Sequence, residues 1–249
     1  MKKLLTILVV FFVCSCDSES SSDCFQTTGD IISKTIEIDA FEKILVNRNI
    51  ELTIIQGSEL KAFIETGENL MNDVEVKVID GELQLTDYNT CNLFRAYDPT
   101  KITITTPGFN QIRSSTQFEV KSEGLLILEK LQLLSEDYNT SESFNVGDFN
   151  LQLDVENLVV VSNNISVFYL SGTVNKLSVG FYAGAGRFEG ADLIANTVEI
   201  YHRGSNDMVV HPQHSLIGEL VSTGNLISKN RPAVVDVEEK FKGKLYFED

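Results

Sequence analysis

The feature that most constrains the fold is a repeat of about 20 residues, which begins near residue 108 and continues to the carboxyl end. Apolar residues recur at this spacing in two separate series. The first series is Leu133, Val160, Val179, Ile200 and Leu220, and the second is Phe144, Phe168, Phe188, Met208 and Leu226. A repeat of this length is typical of a β-solenoid, in which each coil buries its apolar face against the next coil.

Short runs of Gly, Ser, Asn, Thr and Ala fall between the two series. They occupy residues 162–164, 184–186, 204–206 and 222–224. Gly and Asn accept left-handed backbone conformations, so these runs are expected at the corners of the coils. The longer first coil predicts a polar surface insertion at residues 135–143. An antiparallel sandwich with evenly spaced strands is the alternative, but the joint recurrence of both series and the turns favours the solenoid.

Residues 31–107 show strict alternation of apolar and polar residues, as at Val74, Val76 and Val78. Alternation of this kind indicates short strands, and no segment keeps a helical apolar stripe for three turns. Asp80-Gly81 predicts a type I′ hairpin, because both central residues of that turn need a positive φ. The chain is therefore predicted to be all-β, with an N-terminal region of short, mostly antiparallel strands at 31–107 and a solenoid at 108–249.

The amino-terminus is typical of an exported lipoprotein. Lys2 and Lys3 precede an apolar run of about ten residues, which is far too short to span a bilayer. Val13-Cys14-Ser15-Cys16 resembles the bacterial lipobox, so residues 1–15 are predicted to be a signal peptide and Cys16 the lipid attachment site. Ordinary cleavage without a lipid is the alternative. The acidic segment after Cys16 predicts a flexible tether at 16–30, either as a plain spacer or as a surface-export signal.

The formal net charge is −16, which argues against nucleic acid and anionic lipid headgroups as partners. Cys24 and Cys91 remain after lipidation of Cys16, and an exported compartment permits a disulfide between them. The sequence does not supply the Cα separation that such a bridge requires, so paired and free cysteines both stay open.

No pattern of catalytic residues stands out. The chain lacks Gly-x-Ser-x-Gly and the phosphate-binding Gly-x-x-x-x-Gly-Lys. The spacing of His211, His214 and Asp207 allows a metal site, but Pro212 is expected to interrupt any regular element that would align the rings. We therefore expect no metal, no cofactor and no catalytic residue. A glycosidase acid pair is the less favoured alternative.

Aromatic residues recur near neighbouring corners. Phe181 and Tyr182 lie about 20 residues before Tyr201, so the three could form an exposed aromatic strip for a sugar or a peptide. Ordinary core filling is the alternative. At the carboxyl end, residues 241–247 alternate apolar and charged side chains, which predicts a strand that caps the solenoid or contacts a second copy.

Several short segments, taken in order, resemble the auto-transporter adhesin family with a head GIN domain. They are Phe41-Glu42-Lys43-Ile44, Ile54-Ile55-Gln56-Gly57, Asp80-Gly81-Glu82-Leu83 and Thr105-Thr106-Pro107-Gly108-Phe109. The turns of the second half resemble the family's Gly-Ser-Gly corners, with Asn, Ala or Thr replacing many glycines. The resemblance implies a right-handed two-sheet β-helix and a role in cell adhesion without catalytic residues.

Together these observations predict a non-enzymatic lipoprotein of a bacterial cell envelope that presents a β-solenoid surface for adhesion or binding. Its expected location is the outer membrane, facing outward or into the periplasm. Expected partners are the membrane lipid at Cys16, an envelope or extracellular ligand and, as an open possibility, a second copy of the chain. An envelope structural component and a polysaccharide-active β-helix enzyme are the alternatives. The sequence does not identify the ligand or the oligomeric state.

Overall fold

The computed structural model describes residues 26–89, 91, 98–137 and 144–248. The strands are β1 (Ile31–Glu37), β2 (Lys43–Val46), β3 (Ile50–Gln56), β4 (Lys61–Gly67), β5 (Val74–Ile79), β6 (Glu82–Asp87), β7 (Thr100–Thr106), β8 (Gln111–Ser114), β9 (Val120–Ser135), β10 (Phe149–Ser162), β11 (Val167–Phe181), β12 (Arg187–His202), β13 (Met208–Leu220), β14 (Leu226–Ser228), β15 (Val234–Glu239) and β16 (Leu245–Phe247). Within the described residues the one helical element is the 3-10 turn Met71–Asp73. The all-β prediction is confirmed.

Long parallel strands form the second half of the molecule. β9, β10, β11, β12 and β13 pair in sequence order, each with the next, and every pairing is parallel. We call each long strand with its following turn a rung. Because consecutive rungs pair in parallel, the chain returns to the same position once per rung, as the repeat of about 20 residues predicts.

Each long strand has two sides, and both bury their inner residues. In β10 the buried positions are odd-numbered up to Val155 and even-numbered from Leu158 onward. The side-chain period of a strand is two, so this change of phase marks a bend at Glu156 and Asn157. We call the portion before the bend the first side and the portion after it the second side.

The two sides continue separately at both ends of the rung array. β13 pairs with β14 along its first side and with β15 along its second side. At the other end, β9 pairs with β3 along its first side and with β8 along its second side. β3 leads to β7, β4 and β1, while β8 leads to β2, β6 and β5. The first half of the chain therefore extends the same two sides with short strands.

One apolar core runs between the two sides along the whole molecule. Phe149 and Phe168 stack in it with ring centroids 4.9 Å apart and planes inclined by 7°. Phe181 enters from the second side and lies 5.8 Å from Phe168. All three rings are fully buried. Burial of such side chains contributes about 2–3 kcal/mol each, which makes this aromatic stack a major source of stability in the rungs.

The two apolar series are largely confirmed, with one correction in each. Val160, Val179 and Ile200 lie in register as predicted, but Ile200 is opposite Gly218, and Leu220 is opposite His202. The pairing of β12 with β13 contains register shifts that displace β13. In the second series the partner of Phe168 is Phe149 and not Phe144, which is exposed. The predicted surface insertion starts too early, since Ser135 is the fully buried last residue of β9 and Glu136 is buried as well. The sequence also did not show where β10 begins.

Within residues 31–107 most of the described pairings are antiparallel, as predicted, but β2 with β6 and β3 with β7 pair in parallel. β1 with β4, β4 with β7, and β5 with β6 are antiparallel, whereas β2 with β6 and β8, and β3 with β7 and β9, are parallel. Alternation indicates strands but not their direction, which is why the sequence missed the parallel pairs. The predicted hairpin is present, with φ of 49° at Asp80 and 77° at Gly81.

The predicted corners at residues 162–164, 184–186, 204–206 and 222–224 all lie at or between the ends of rung strands. At the carboxyl end, two strands replace the single predicted one, since only Leu245–Phe247 of residues 241–247 is extended and β15 precedes it. Pro212 was predicted to interrupt any regular element, but β13 continues through it. Only the pairing of β13 with β12 becomes irregular there.

Several predictions fall outside the described residues. The signal peptide, Cys16 and Cys24 are among them, as are residues 138–143 of the predicted insertion. Cys91 is disulfide-bonded, and its pairing with Cys24 stays a prediction. In the part of the chain that the structure describes, no helix has the length and apolar character of a membrane span.

Candidate binding surface

The outer face of the second side carries an aromatic pair, in which Tyr182 is exposed and Tyr201 is part-buried. Inner and outer residues alternate along each strand, so the residues just after the inner series point outward. One outward row is Leu134, Val161, Gly180, Tyr201, Glu219 and Glu238, and the row beside it is Gln132, Val159, Ser178, Glu199, Ile217 and Asp236. The first four residues of the first row, Leu134, Val161, Gly180 and Tyr201, directly follow members of the first apolar series.

Tyr182 and Tyr201 meet on this face, although they belong to different rungs. Their ring centroids are 5.1 Å apart and their planes are inclined by 29°. Tyr182 is 40% exposed. The backbone N–H of Tyr182 donates to the Ser162 carbonyl at 2.9 Å, which fixes the start of the corner that carries this ring. Offset stacking of two phenol rings is favourable beyond the area it buries, so the pair holds a defined shape.

Gly180 makes room for the Tyr182 ring. It is the residue directly opposite Tyr201, and a Cβ atom added to it would lie 2.7 Å from a ring carbon of Tyr182. Any side chain at this position would therefore displace the ring. The absence of a side chain at Gly180 is what lets Tyr182 lie over its own strand and reach Tyr201.

Phe181 does not belong to the aromatic strip, contrary to the prediction. It is fully buried and contacts the core rings on its inner side, because it alternates with Tyr182 along the chain. The predicted strip is thus reduced to Tyr182 and Tyr201. The alternative of core filling holds for Phe181 alone.

His202 fixes the corner that follows Tyr201. It is fully buried, its Nε2 lies 2.8 Å from the carbonyl oxygen of Asn206, and the Gly204 N–H donates to Nδ1 at 3.3 Å. Since Nδ1 accepts a hydrogen bond, Nε2 carries the proton and the ring is neutral. Burial lowers the pKa of His202, and the nearby Asp207 carboxylate opposes that shift only in part.

The tyrosine pair borders a shallow groove of about 540 Å³. We call it the tyrosine groove. Its described lining residues are Val159, Val160, Val161, Ser178, Val179, Gly180, Tyr182, Glu199, Ile200, Tyr201, Ile217, Gly218 and Glu219. The outward-facing lining residues Val159, Val161 and Ile217 form an apolar floor, while Glu199 and Glu219 supply carboxylates at its side.

A second cavity of similar volume lies among the short strands of the first half. Its buried polar groups bind each other: Thr100 Oγ1 donates to Asp87 Oδ2 at 2.6 Å, and the Asn89 backbone N–H donates to Asp87 Oδ1 at 2.8 Å. The first of these hydrogen bonds joins β6 to β7, and the second fixes the chain just after β6. The cavity therefore has a structural explanation, and the tyrosine groove is the better candidate for a binding surface.

The residues that could have formed a metal site do not meet. His211 Nδ1 lies 2.9 Å from the Ala191 carbonyl oxygen, and Asp207 accepts hydrogen bonds from Asn225. His214 is exposed. Across the described ranges, no three His, Cys, Asp or Glu side chains converge as metal ligands.

A family model covers most of the chain. The family described as "Putative auto-transporter adhesin, head GIN domain" matches residues 40–232. The chain belongs to this family. The resemblance seen in the sequence is thereby confirmed, and the tyrosine groove lies wholly within the matched residues. No curated protein matches the chain.

Solved structures of similar fold include three from Bacteroides and Parabacteroides species. A "putative adhesin" from Bacteroides fragilis has 22% sequence identity and a TM-score of 0.80, and the match covers 89% of this chain and 99% of that one. A second "putative adhesin", from Parabacteroides merdae, has 17% identity and a TM-score of 0.60, with 88% and 98% covered. A "putative lipid binding protein" from Parabacteroides distasonis has 15% identity and a TM-score of 0.60, with 88% and 98% covered. At these identities the likeness shows the fold alone.

Proposed function

We propose that this family member is a non-enzymatic adhesin that is displayed on the bacterial cell envelope as a right-handed, two-sheet β-helix. The supporting observation is the outer face of the second side, where a stacked tyrosine pair borders an open groove. Exposed aromatic rings beside an apolar floor are typical of binding surfaces. The adhesin descriptions of the family and of two similar structures agree with this role.

We further propose that Cys16 carries the lipid that holds the protein at the outer membrane. The sequence that supports this is the apolar run followed by Val13-Cys14-Ser15-Cys16. The acidic residues directly after Cys16 would then form the tether between the membrane and β1. Loss of the thiol in Cys16→Ser is expected to release the protein from the membrane fraction, and protease treatment of intact cells then separates an outward from a periplasmic orientation.

The attachment experiment compares cells that produce the protein with cells from which it has been deleted. We expect weaker attachment to a host or bacterial surface after deletion, and restoration by the wild-type chain but not by Cys16→Ser. Equal attachment of all strains would contradict the adhesin proposal. Turnover of a polysaccharide by the purified protein would instead support the enzyme alternative.

A role in envelope assembly is the second candidate, and one structural feature favours it. Among the described strands, β1, β5, β15 and β16 each pair with a single neighbour. Unpaired strand edges are templates for further pairing, so a second copy of the chain could extend the sheet there. A stable oligomer in light scattering, without attachment to any surface, would favour this role over adhesion.

A further inference from the structure

We infer that the tyrosine groove binds an uncharged glycan chain. The inference deepens the proposed adhesin function and rests on it. It starts from the shape of the groove, in which Tyr182 and Tyr201 stand beside an apolar floor of outward-facing Val159, Val161 and Ile217. A pyranose ring is flat and apolar on one face, so it fits against a phenol ring and over such a floor.

The backbone beneath the groove is already fully engaged in the sheet. Residues of β11 around Gly180 pair with β10 on one edge and with β12 on the other, and β12 around Tyr201 pairs with β11 and β13. An extended peptide gains most of its affinity by pairing with free strand edges. The groove offers no such edge, so stacking and side-chain hydrogen bonds must supply the affinity, as they do for sugars.

The charge at the groove selects against acidic chains. None of its described lining residues is Lys or Arg. Among the cations beside it, Lys240 has its Nζ held by Glu219 at 2.8 Å and by Glu238 at 3.2 Å, and Lys176 is exposed two residues before Ser178 on the same face. Glu199 carries no cation partner among these ion pairs, and the Ser178 hydroxyl lies 3.5 Å from its Oε2. A carboxylate only accepts hydrogen bonds, which matches the hydroxyl donors of a neutral sugar and repels uronates and sulfates.

The direct test is affinity electrophoresis of the purified chain in native gels that contain one polysaccharide each. The neutral probes are mannan, xylan, dextran and hydroxyethyl cellulose, and the acidic probes are alginate and heparin. We expect retardation by at least one neutral polymer and by neither acidic one. Tyr182→Ala and Tyr201→Ala should each weaken that binding about tenfold through the lost stacking. Gly180→Ala should weaken it as well, although both tyrosines remain, because the new methyl group displaces the Tyr182 ring.

The matched control is Tyr169→Ala. Tyr169 is 47% exposed on the outer face of the first side, away from the groove, so its loss should leave the binding unchanged. Circular dichroism of every variant separates misfolding from loss of the ring. Equal retardation of wild type, Tyr182→Ala and Tyr201→Ala would overturn the inference. It would also be overturned if none of the neutral polymers retarded the wild-type protein. Binding of hexalysine that is lost in Glu199→Gln would assign the groove to basic peptides and overturn it too.

A second readout separates this inference from the adhesin proposal. Beads coated with wild-type protein, Tyr201→Ala or Tyr169→Ala are tested for attachment to mucin, matrix proteins and bacterial cells. Attachment that Tyr201→Ala abolishes supports both proposals. Attachment that Tyr201→Ala retains leaves the adhesin role standing and overturns the groove assignment. Failure of wild-type beads to attach to every surface contradicts the adhesin role itself.

Discussion

The two halves of the molecule build the same two-sided core from different kinds of chain segment. In the rungs from β9 to β13, each strand pairs with the strand that follows it about 20 residues later. In the first half, the second side joins β2 to β6 and β8, which lie far apart in sequence. Contacts between distant segments cost more loop entropy than contacts between successive rungs. The first half should therefore form and open as one unit, whereas the rungs respond locally.

The largest expected effect compares one buried truncation in each half. Phe168→Ala removes the central ring of the aromatic stack, and Ile104→Ala removes a fully buried side chain of β7. Each should lower the free energy of unfolding by about 3–5 kcal/mol. Hydrogen exchange should show lost protection mainly in β10, β11 and β12 for Phe168→Ala, but throughout β3, β4 and β7 for Ile104→Ala. Identical exchange patterns in the two variants would remove the distinction between the halves.

A pair of glycines sharpens the comparison at the level of the backbone. Gly172 has φ of 108°, and an added Cβ would lie 2.0 Å from the Leu153 carbonyl oxygen on the neighbouring strand β10. Gly81, in the hairpin of the first half, has φ of 77° and open space around it. Gly172→Ala should cost about 3 kcal/mol or more, because backbone strain and a clash add together. Gly81→Ala should cost only about 1 kcal/mol, measured by urea denaturation.

A smaller, pH-dependent effect is expected from His202, which lies in the rungs. Burial holds its folded pKa below the ordinary value of 6.5. As the pH falls below about 6.5, His202 is protonated in the unfolded chain before it is protonated in the folded chain. The free energy of unfolding therefore decreases until the pH has passed the folded pKa. His202→Phe should show a shallower loss of denaturation midpoint between pH 7.5 and pH 5. His214→Gln, at an exposed histidine, should follow wild type, and a shallower slope there would contradict this explanation.

The smallest expected effect lies at the junction of the halves. Lys121 on β9 contacts Glu51 on β3 with its Nζ 2.6 Å from Oε1, and this contact raises the pKa of Lys121. Lys121→Met keeps most of the side-chain length and removes the charge. Because the pair is partly exposed, the variant should lose only about 0.5 kcal/mol, and 1 M salt should reduce the difference from wild type. A loss several times larger would mean that the junction depends on this ion pair more than on its apolar core.

The sequence predicted the rungs better than the first half, and the reason is physical. A local repeat leaves its spacing in the chain, so Val160, Val179 and Ile200 could be aligned without coordinates. Strand direction in the first half depends on which distant segments pair with each other. The alternation of apolar and polar residues does not indicate these pairings. The register shift that brings Gly218 opposite Ile200 could not be predicted either, since it arises from two irregularities in the ladder of β12 with β13, between Glu189 and Ile194 and between Ala195 and Thr197.

The geometry of the tyrosine groove was predicted in part. Spacing alone suggested that Tyr182 and Tyr201 would meet, and they do. It did not separate Phe181 from them, because the assignment of inner and outer positions depends on where each strand bends. The role of Gly180 could not be predicted, because it depends on the contact between its strand and the Tyr182 ring. The carboxylates of Glu199 and Glu219 were visible in the sequence, but not their position beside the rings.

The central claim is that successive rungs pair in parallel, since both the outward rows and the tyrosine pair follow from it. Nitroxide labels on Tyr169→Cys and Glu189→Cys test it directly, because these outer positions are opposite each other on β11 and β12. With Cys24 and Cys91 kept in their native state, continuous-wave electron paramagnetic resonance should show strong dipolar broadening for this pair, as expected for strands about 4.8 Å apart. Labels on Tyr169→Cys and Ile194→Cys, which are out of register by several residues, should show little. Equal spectra for the two pairs, or no broadening in the first, would contradict the account.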